Sequence, residues 1–198
     1  MKRILFLSSL LLTFYICAQS INHSRITWYS QYINGVYSED LEQPLLVSYT
    51  VLCAEGNASR DGMQFYTDKK IHTSNDKDYV NNIWDKGHLA PAADFKCDQN
   101  AMYKTFTYLN CTLQHENLNR GVWKHLEAYE RELSMIGDVS IFVEVDFDDK
   151  PKRVSGGAAI PIGFYKQITL GKLNRCYWFA NELPISKDFR DYECPCRN

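Results

Sequence analysis

The 198-residue sequence lacks an excess of positive charge, because its 22 Lys and Arg face 24 Asp and Glu for a formal net charge of −2. This balance excludes a protein that coats nucleic acid by bulk charge alone, although it permits a local basic groove. The chain has no internal repeat and no low-complexity block. With 45% hydrophobic and 23% charged residues, its composition excludes a disordered or collagen-like chain and suits one globular domain.

Long apolar runs are also missing, except at the N-terminus. Two basic residues at positions 2 and 3 precede the apolar run Ile4–Cys17, and Ala18 follows it. We interpret residues 1–18 as a cleaved signal peptide; the alternative is a membrane anchor, but the run is shorter than the roughly 20 residues that span a bilayer. This interpretation predicts a secreted or periplasmic protein, free of the membrane, with a single domain over residues 19–198. Its charge would be −4, from 20 basic and 24 acidic residues.

Removal of the signal peptide leaves six of the seven cysteines. An even number of cysteines in an oxidising compartment predicts disulfides, without fixing which residues pair. Cys194 and Cys196 are separated by one proline, too close to pair comfortably, so we expect two separate bridges from the tail to the body. A zinc site is the weaker alternative, because no second Cys or His pair lies at zinc-finger spacing. The six are Cys53, Cys97, Cys111, Cys176, Cys194 and Cys196.

The hydrophobic pattern predicts four strands and one clear helix. Residues 139–147 alternate apolar and polar side chains with the period of a half-buried strand. Residues 117–134 instead repeat apolar side chains at helical spacing, with charges on the other side. Strands on both sides of a helix in one chain predict the α+β class with an antiparallel sheet. The other predicted strands are residues 44–53, 158–170 and 176–183.

Residues that could carry out chemistry concentrate between Asp85 and Glu127. The segment Asp85-Lys86-Gly87-His88 is followed by Pro91-Ala92-Ala93-Asp94, and the predicted helix carries amide and carboxylate side chains. Gly87 permits close backbone approach beside His88, and Pro91 stiffens the loop that follows. A histidine with an unperturbed pKa near neutrality is suited to proton transfer, so this layout is that of a metal-dependent hydrolase.

This segment resembles the Asp-Arg-Gly-His signature of the DNA/RNA non-specific endonucleases, the ββα-metal nucleases. The resemblance extends from about residue 46 to residue 182. Lys86 replaces the usual Arg and loses its planar, two-pronged grip on phosphate, and Leu113 replaces the usual Pro. The matching positions are Pro91-Ala92-Ala93-Asp94, Asn110, Gln114, Leu118-Asn119, Trp123 and Leu126-Glu127.

The resemblance implies a ββα-metal nuclease fold, with a central antiparallel sheet flanked by helices. It implies an endonuclease that hydrolyses DNA and RNA with little sequence specificity, using Mg²⁺ or another divalent cation such as Mn²⁺, and leaves 5′-phosphate ends. His88 matches the general base and Asn119 the metal ligand. One neutral oxygen ligand fits Mg²⁺, which keeps several waters.

The remaining roles are assigned with an alternative for each. Glu127 is expected to orient metal-bound water, or else to be a surface carboxylate paired with Lys124 or Arg131. Asp85 is expected to accept a hydrogen bond from the same water, or to close the loop.

Asn110 is expected to hydrogen-bond the transition state, or to be a glycosylation acceptor. Lys86 is expected to position phosphate. Arg60 is expected to clamp phosphate, or to be a solvated loop residue. Trp84 and Trp123 are expected in the core rather than as surfaces on which a nucleobase stacks.

Substrate would be recognised through its phosphate backbone, for which a basic groove is needed. Two rival classes remain open: a nuclease-fold protein that binds nucleic acid with weakened catalysis, and a disulfide-rich extracellular interaction module. The oligomeric state is not predicted. Seven basic residues near the signature could form the groove: Lys69, Lys70, Lys86, Lys96, Lys104, Arg120 and Lys124.

Overall fold

The computed structural model describes residues 24–197, so the predicted signal peptide lies outside the described residues. Six strands form one sheet in the order β1-β2-β3-β6-β7-β8, and every neighbouring pair is antiparallel. The other two strands, β4 and β5, form a separate antiparallel ribbon. The strands are β1 (Ile26–Tyr29), β2 (Ile33–Ser38), β3 (Gln43–Thr50), β4 (Trp84–His88), β5 (Cys111–His115), β6 (Ser140–Asp146), β7 (Gly163–Leu170) and β8 (Leu173–Ala180).

The four predicted strands are all present, and the α+β class with an antiparallel sheet is confirmed. Their bounds differ most where proline intervenes: the third begins at Gly163 rather than at residue 158, after Pro161 has interrupted the run. Strands β1, β2, β4 and β5 were not predicted. The ribbon strands are only five residues long, and their sequences WDKGH and CTLQH lack a clear period of two.

The predicted helix over residues 117–134 is wrong as one continuous element. The structure has α2 (Glu116–Leu118), a wide π-helical segment over Asn119–Trp123, and α3 (Lys124–Ser134). Gly121 has non-helical backbone angles, φ −106° and ψ −114°, at the break. The chain therefore bends between residues 119 and 127. A further short helix, α1 (Gln99–Lys104), precedes the ribbon's second strand, and 3₁₀ turns cover Asp76–Tyr79, Ala92–Asp94, Tyr108–Asn110 and Phe189–Tyr192.

The core lies between one face of the large sheet and the segments that carry α1, α3 and the loop after β4. Trp123 is fully buried, with its ring 5.6 Å from both Phe164 and Phe179, which confirms its predicted core role. Leu126 and Leu133 of α3 are also buried. This packing anchors α3 on the sheet and thereby fixes the helix that faces the ribbon.

Two disulfides are present among the described cysteines, Cys53–Cys97 and Cys176–Cys196. The expectation of two bridges from the tail is therefore wrong: Cys196 binds the body, whereas Cys194 and the buried Cys111 are free thiols. In the part of the chain that the structure describes, none of the helices combines the length and the apolar character needed to cross a bilayer.

Candidate active site

A cleft of about 570 Å³ lies between the ribbon and the bent helix. It brings together six of the seven residues that the sequence predicted for the site, and only Asn110 does not line it. Six Lys and Arg side chains line the cleft against two carboxylates, so it is locally basic in a chain of net negative charge. The basic residues are Arg60, Lys86, Lys96, Arg120, Lys124 and Arg131, and the others predicted for the site are Asp85, His88, Asn119 and Glu127.

The ribbon fixes the spacing of the signature. Strand β4 pairs with β5 so that Gly87 faces Thr112 and His88 faces Cys111. A Cβ on residue 87 would come within 2.4 Å of the Gln114 amide oxygen, so only glycine permits this cross-strand approach. Because strand side chains alternate, Lys86 and His88 share one face, and Asp85 lies on the other.

His88 is held by aromatic rings rather than by hydrogen bonds. Its imidazole lies 4.7 Å from the ring of Phe65 and 4.9 Å from that of Phe106, centroid to centroid. Its Nε2 is buried without a hydrogen-bond partner among the described residues, which leaves Nδ1 to accept a proton. Burial, together with the charge of Arg60, lowers the pKa of His88 from 6.5 to about 3. The ring is therefore neutral at physiological pH, the form that a general base needs.

Asn119 is oriented by a carboxylate across the cleft. Its Nδ2 donates to Oδ2 of Asp85 at 2.8 Å, and Arg120 donates to both Asp85 oxygens at 2.8 and 2.6 Å. With its nitrogen fixed, the Oδ1 of Asn119 accepts no hydrogen bond from the residues that the structure describes. A fixed, uncommitted amide oxygen is a hard ligand of the kind that Mg²⁺ accepts.

The donor set around Asn119 suits a cation that keeps most of its water. Within residues 24–197, no three His, Cys, Asp or Glu side chains are clustered as metal ligands would be. A divalent ion here would accordingly be held by Asn119 with water and substrate oxygens completing its shell. That arrangement suits Mg²⁺ better than zinc, which prefers four nitrogen and sulfur ligands.

Glu127 lines the cleft one turn into α3, above a buried group of charges. Burial raises the pKa of Glu127 to about 8; Glu130 and Asp94 also raise it, whereas Lys166 and Arg131 lower it. Glu127 makes no ion pair in the described part of the chain. The alternative that it is a surface carboxylate paired with Lys124 or Arg131 is therefore wrong.

The charges beneath Glu127 were not predicted from the sequence. Lys166 of β7 is fully buried and donates to Oε1 of Glu130 at 2.8 Å, while the Tyr49 hydroxyl donates to Oε2 at 3.0 Å. Arg131 pairs with Asp94 at 3.0 Å. Helical spacing could have placed residues 130 and 131 beside Glu127, since they lie three and four positions further on. Nothing in the sequence indicated that Lys166 joins them from the sheet.

The two residues predicted to grip phosphate differ in their freedom. Lys86 is paired with Asp76 and lies between the rings of Phe65, Tyr79 and Tyr108, with its Nζ 5.6 to 5.9 Å from their centroids. Arg60 is exposed, lies 5.9 Å from the ring of Phe106, and forms no ion pair within the described residues. Arg60 is thus the freer of the two cations beside His88.

The prediction that Asn110 hydrogen-bonds the transition state is corrected by its position. Asn110 is fully buried, and its Nδ2 donates to the carbonyls of Ala90 and Thr105, both at 2.9 Å. Its Oδ1 accepts from the Ala90 amide at 2.9 Å. Both ends of the side chain are committed to backbone. Asn110 therefore ties the loop after His88 to the segment before β5, and its burial also removes it as a glycosylation acceptor.

The ribbon, the bent helix and a cleft lined by both His88 and Asn119 define the ββα-metal nuclease fold. A crystal structure described as the EndoG/EndoGI complex superposes with a TM-score of 0.75, covering 85% of this chain and 80% of that one at 23% identity. The family model for DNA/RNA non-specific endonucleases matches residues 15–198, so the chain belongs to that family.

Curated relatives of the chain include "Nuclease EXOG, mitochondrial" of Danio rerio, 38% identical over 82 residues, and "Endonuclease G, mitochondrial" of Bos taurus, 35% identical over 82 residues. Each match covers 40% of this chain, but only 24% and 27% of those relatives. The chain thus spans about a quarter of the length of the curated relatives it matches. The names of both relatives include the word mitochondrial. They contradict the predicted secreted or periplasmic location, and that prediction is therefore wrong.

Proposed function

We propose that the protein is an endonuclease that hydrolyses phosphodiester bonds of DNA and RNA with little sequence specificity, using Mg²⁺ and leaving 5′-phosphate ends. The observation that carries this proposal is the cleft in which a neutral, buried imidazole and an uncommitted amide oxygen lie together in a basic lining. Membership of a metal-dependent nuclease family supports it.

In this mechanism His88 takes a proton from the attacking water at Nδ1. Asp85 holds the Asn119 amide nitrogen and leaves its oxygen free, so that Asn119 would be the residue that holds the cation, and Arg60 offsets the charge that develops on the phosphate. Mg²⁺, when bound, would supply Lewis-acid stabilisation of the leaving oxygen. Lys86 would assist Arg60, with part of its charge offset by Asp76. Glu127 would accept a hydrogen bond from cation-bound water once that positive charge favours its ionised form.

Low sequence specificity follows from the chemistry of the cleft. Its lining offers six cationic side chains, which recognise phosphates and carry no information about base sequence.

The test is cleavage of plasmid DNA and of RNA by the purified protein, with Mg²⁺ or with EDTA. We expect Mg²⁺-dependent cleavage that falls about 10²- to 10⁴-fold in His88→Ala, because a general base contributes that much. His72→Ala is the matched control, since His72 is exposed, does not line the cleft, and its imidazole pairs only with Glu42 in the described part of the chain. Binding without cleavage would instead support the weakened binding protein, and neither activity would support the interaction module.

A further inference from the structure

A second cavity, of about 700 Å³, adjoins the cleft. The two cavities are neighbours, with Phe65 in the wall of both. The proposed function uses only the first, so the chemistry of the second is open. Its walls include Tyr66, Tyr103 and the side chains of Gln64 and Asn100.

The second cavity differs from the cleft in charge. None of the residues that line it is Lys or Arg, and its single ionisable carboxylate is Asp61. The cleft has six cationic side chains. Phosphate is therefore favoured in the cleft and disfavoured in the second cavity, where a neutral part of the substrate would fit.

The wall of this cavity is a rigid aromatic platform. The rings of Tyr66 and Tyr103 stack with centroids 5.1 Å apart and planes 19° from parallel. Tyr66 is fixed by its backbone, since its amide donates to Phe106 at 2.9 Å and its carbonyl accepts from Tyr108 at 3.0 Å. Tyr103 projects from α1 and remains 42% exposed. The pair thus holds an aromatic face toward solvent without an ordering cost on binding.

Polar groups stand at the edge of the platform. The exposed amides of Gln64 and Asn100 make no side-chain hydrogen bond with other described residues. Each can donate and accept, as the edge of a nucleobase requires. An apolar ring surface with donors and acceptors at its rim matches a base in shape and chemistry.

We propose that the second cavity is a subsite for an unpaired nucleobase of the substrate strand, stacked on Tyr103, adjacent to the nucleotide whose phosphate occupies the cleft. This inference rests on the proposed function and narrows its substrate. A base within a duplex is already stacked and paired, so single-stranded or locally opened nucleic acid gains this contact and intact duplex does not.

The test compares Tyr103→Ala with Tyr103→Phe, each in a His88→Ala background that prevents cleavage. The probe is a fluorescein-labelled single-stranded oligodeoxynucleotide in EDTA, compared with the same strand annealed to its complement. We expect Tyr103→Ala to weaken single-strand binding about 5- to 150-fold, the effect of losing one base stack. Duplex binding should be unchanged, and Tyr103→Phe should bind as the parent does. Tyr29→Ala, which removes a 77% exposed tyrosine from β1, is the control.

A fluorescence measurement of base stacking tests the subsite without depending on nuclease activity. A single 2-aminopurine in the oligonucleotide should be quenched on binding to the parent and to Tyr103→Phe, but not to Tyr103→Ala. Equal losses for single strand and duplex, no loss, or no single-strand binding by the parent protein would each overturn the subsite. Parent protein that binds the oligonucleotide with quenching, while wild-type protein cuts nothing in Mg²⁺, would refute the nuclease and leave the subsite standing.

Discussion

The two walls of the cleft bury opposite kinds of titratable group. The ribbon wall holds the base His88 against Phe65 and Phe106, and burial lowers its pKa to about 3. The helix wall holds the acid Glu127 over other charges, and burial raises its pKa to about 8. Desolvation favours the neutral form in both cases.

The functional consequence of that common cause differs between the walls. A neutral imidazole has a lone pair available for a proton, so the ribbon wall is in the required protonation state before any ligand binds, while the same burial weakens His88 as a base. A neutral carboxyl is a poor hydrogen-bond acceptor, so in the proposed mechanism the helix wall becomes competent only when a positive charge ionises Glu127. The comparison teaches that the same desolvation leaves one wall in its required protonation state and, under the proposed use of Mg²⁺, leaves the other dependent on the cation.

The largest effect is expected for the buried ion pair between Lys166 and Glu130, which lies beneath the helix wall. Lys166→Met would leave Glu130 buried beside Tyr49 without its cation, and we expect a loss of about 3–5 kcal/mol in the free energy of unfolding. Urea denaturation measures it. The double variant Lys166→Met/Glu130→Met should recover most of the loss, because an apolar pair needs no charge compensation. A double variant as unstable as the single one would show that the pair is not the cause.

A smaller effect is expected for Asp85, and it should distinguish the orientation of the Asn119 side chain from the net charge of the cleft. Asp85→Leu removes the acceptor that fixes Asn119, and we expect the Mg²⁺ concentration for half-maximal activity to rise about 10- to 100-fold. Glu116→Gln is the matched control, since the Glu116 carboxylate also pairs with Arg120, at 3.2 Å, but makes no hydrogen bond to the Asn119 side chain; only its backbone carbonyl accepts from the Asn119 amide. Equal shifts in both variants would indicate that Arg120, rather than Asn119, sets the affinity.

The opposite pKa shifts predict opposite effects of pH on stability. Glu127 binds a proton more tightly in the folded than in the unfolded chain, so the free energy of unfolding falls as pH rises from about 4.5 to 8. His88 binds its proton more weakly when folded, so the same quantity falls as pH decreases from 6.5 to about 3.

Urea unfolding in EDTA across this pH range measures both effects. Glu127→Gln should reduce the decline between pH 6.5 and 8 and leave the profile below pH 4.5 unchanged, and His88→Gln should do the reverse. The raised pKa of Asp94 should preserve part of the alkaline decline in Glu127→Gln. Identical pH profiles for the two variants and the parent would show that burial does not shift the pKa values of Glu127 and His88 in opposite directions.

The smallest effect concerns Lys86, which shares a face of the ribbon with His88. Asp76→Asn would release the Lys86 charge toward substrate, and we expect the KM for DNA to fall by about fivefold or less, as for an exposed ion pair. Glu132→Gln changes the net charge equally on the exposed side of α3 and should lower KM less. Equal responses would mean that overall charge, and not release of Lys86, governs binding.

Much of the site was predictable because local sequence sets local spacing. The signature brought Asp85, Lys86 and His88 together in sequence, and all three line the cleft, although the strand that carries them, β4, was not predicted. Asn119 and Glu127 were predicted on one helix. The break at Gly121 was missed because the apolar spacing continues through it, although glycine is a weak helix former.

Other assignments required contacts between residues distant in sequence. Asn110 was predicted to face substrate, but bonds to Ala90, 20 residues earlier, bury its amide. Of the seven predicted groove residues, Lys86, Lys96, Arg120 and Lys124 line the cleft, whereas Lys69, Lys70 and Lys104 do not. Charge spacing along the chain does not reveal which side chains converge.

By itself the sequence determined the α+β class and, through its resemblance to the nuclease family, six side chains that line the cleft, because these follow from short-range patterns of polarity and from a local motif. The tertiary structure alone decided that His88 is kept neutral by Phe65 and Phe106, that Asp85 fixes Asn119, and that Lys166 lies beneath Glu127. Those features depend on dielectric surroundings and on angstrom-scale approach, which arise only when segments tens of residues apart pack together.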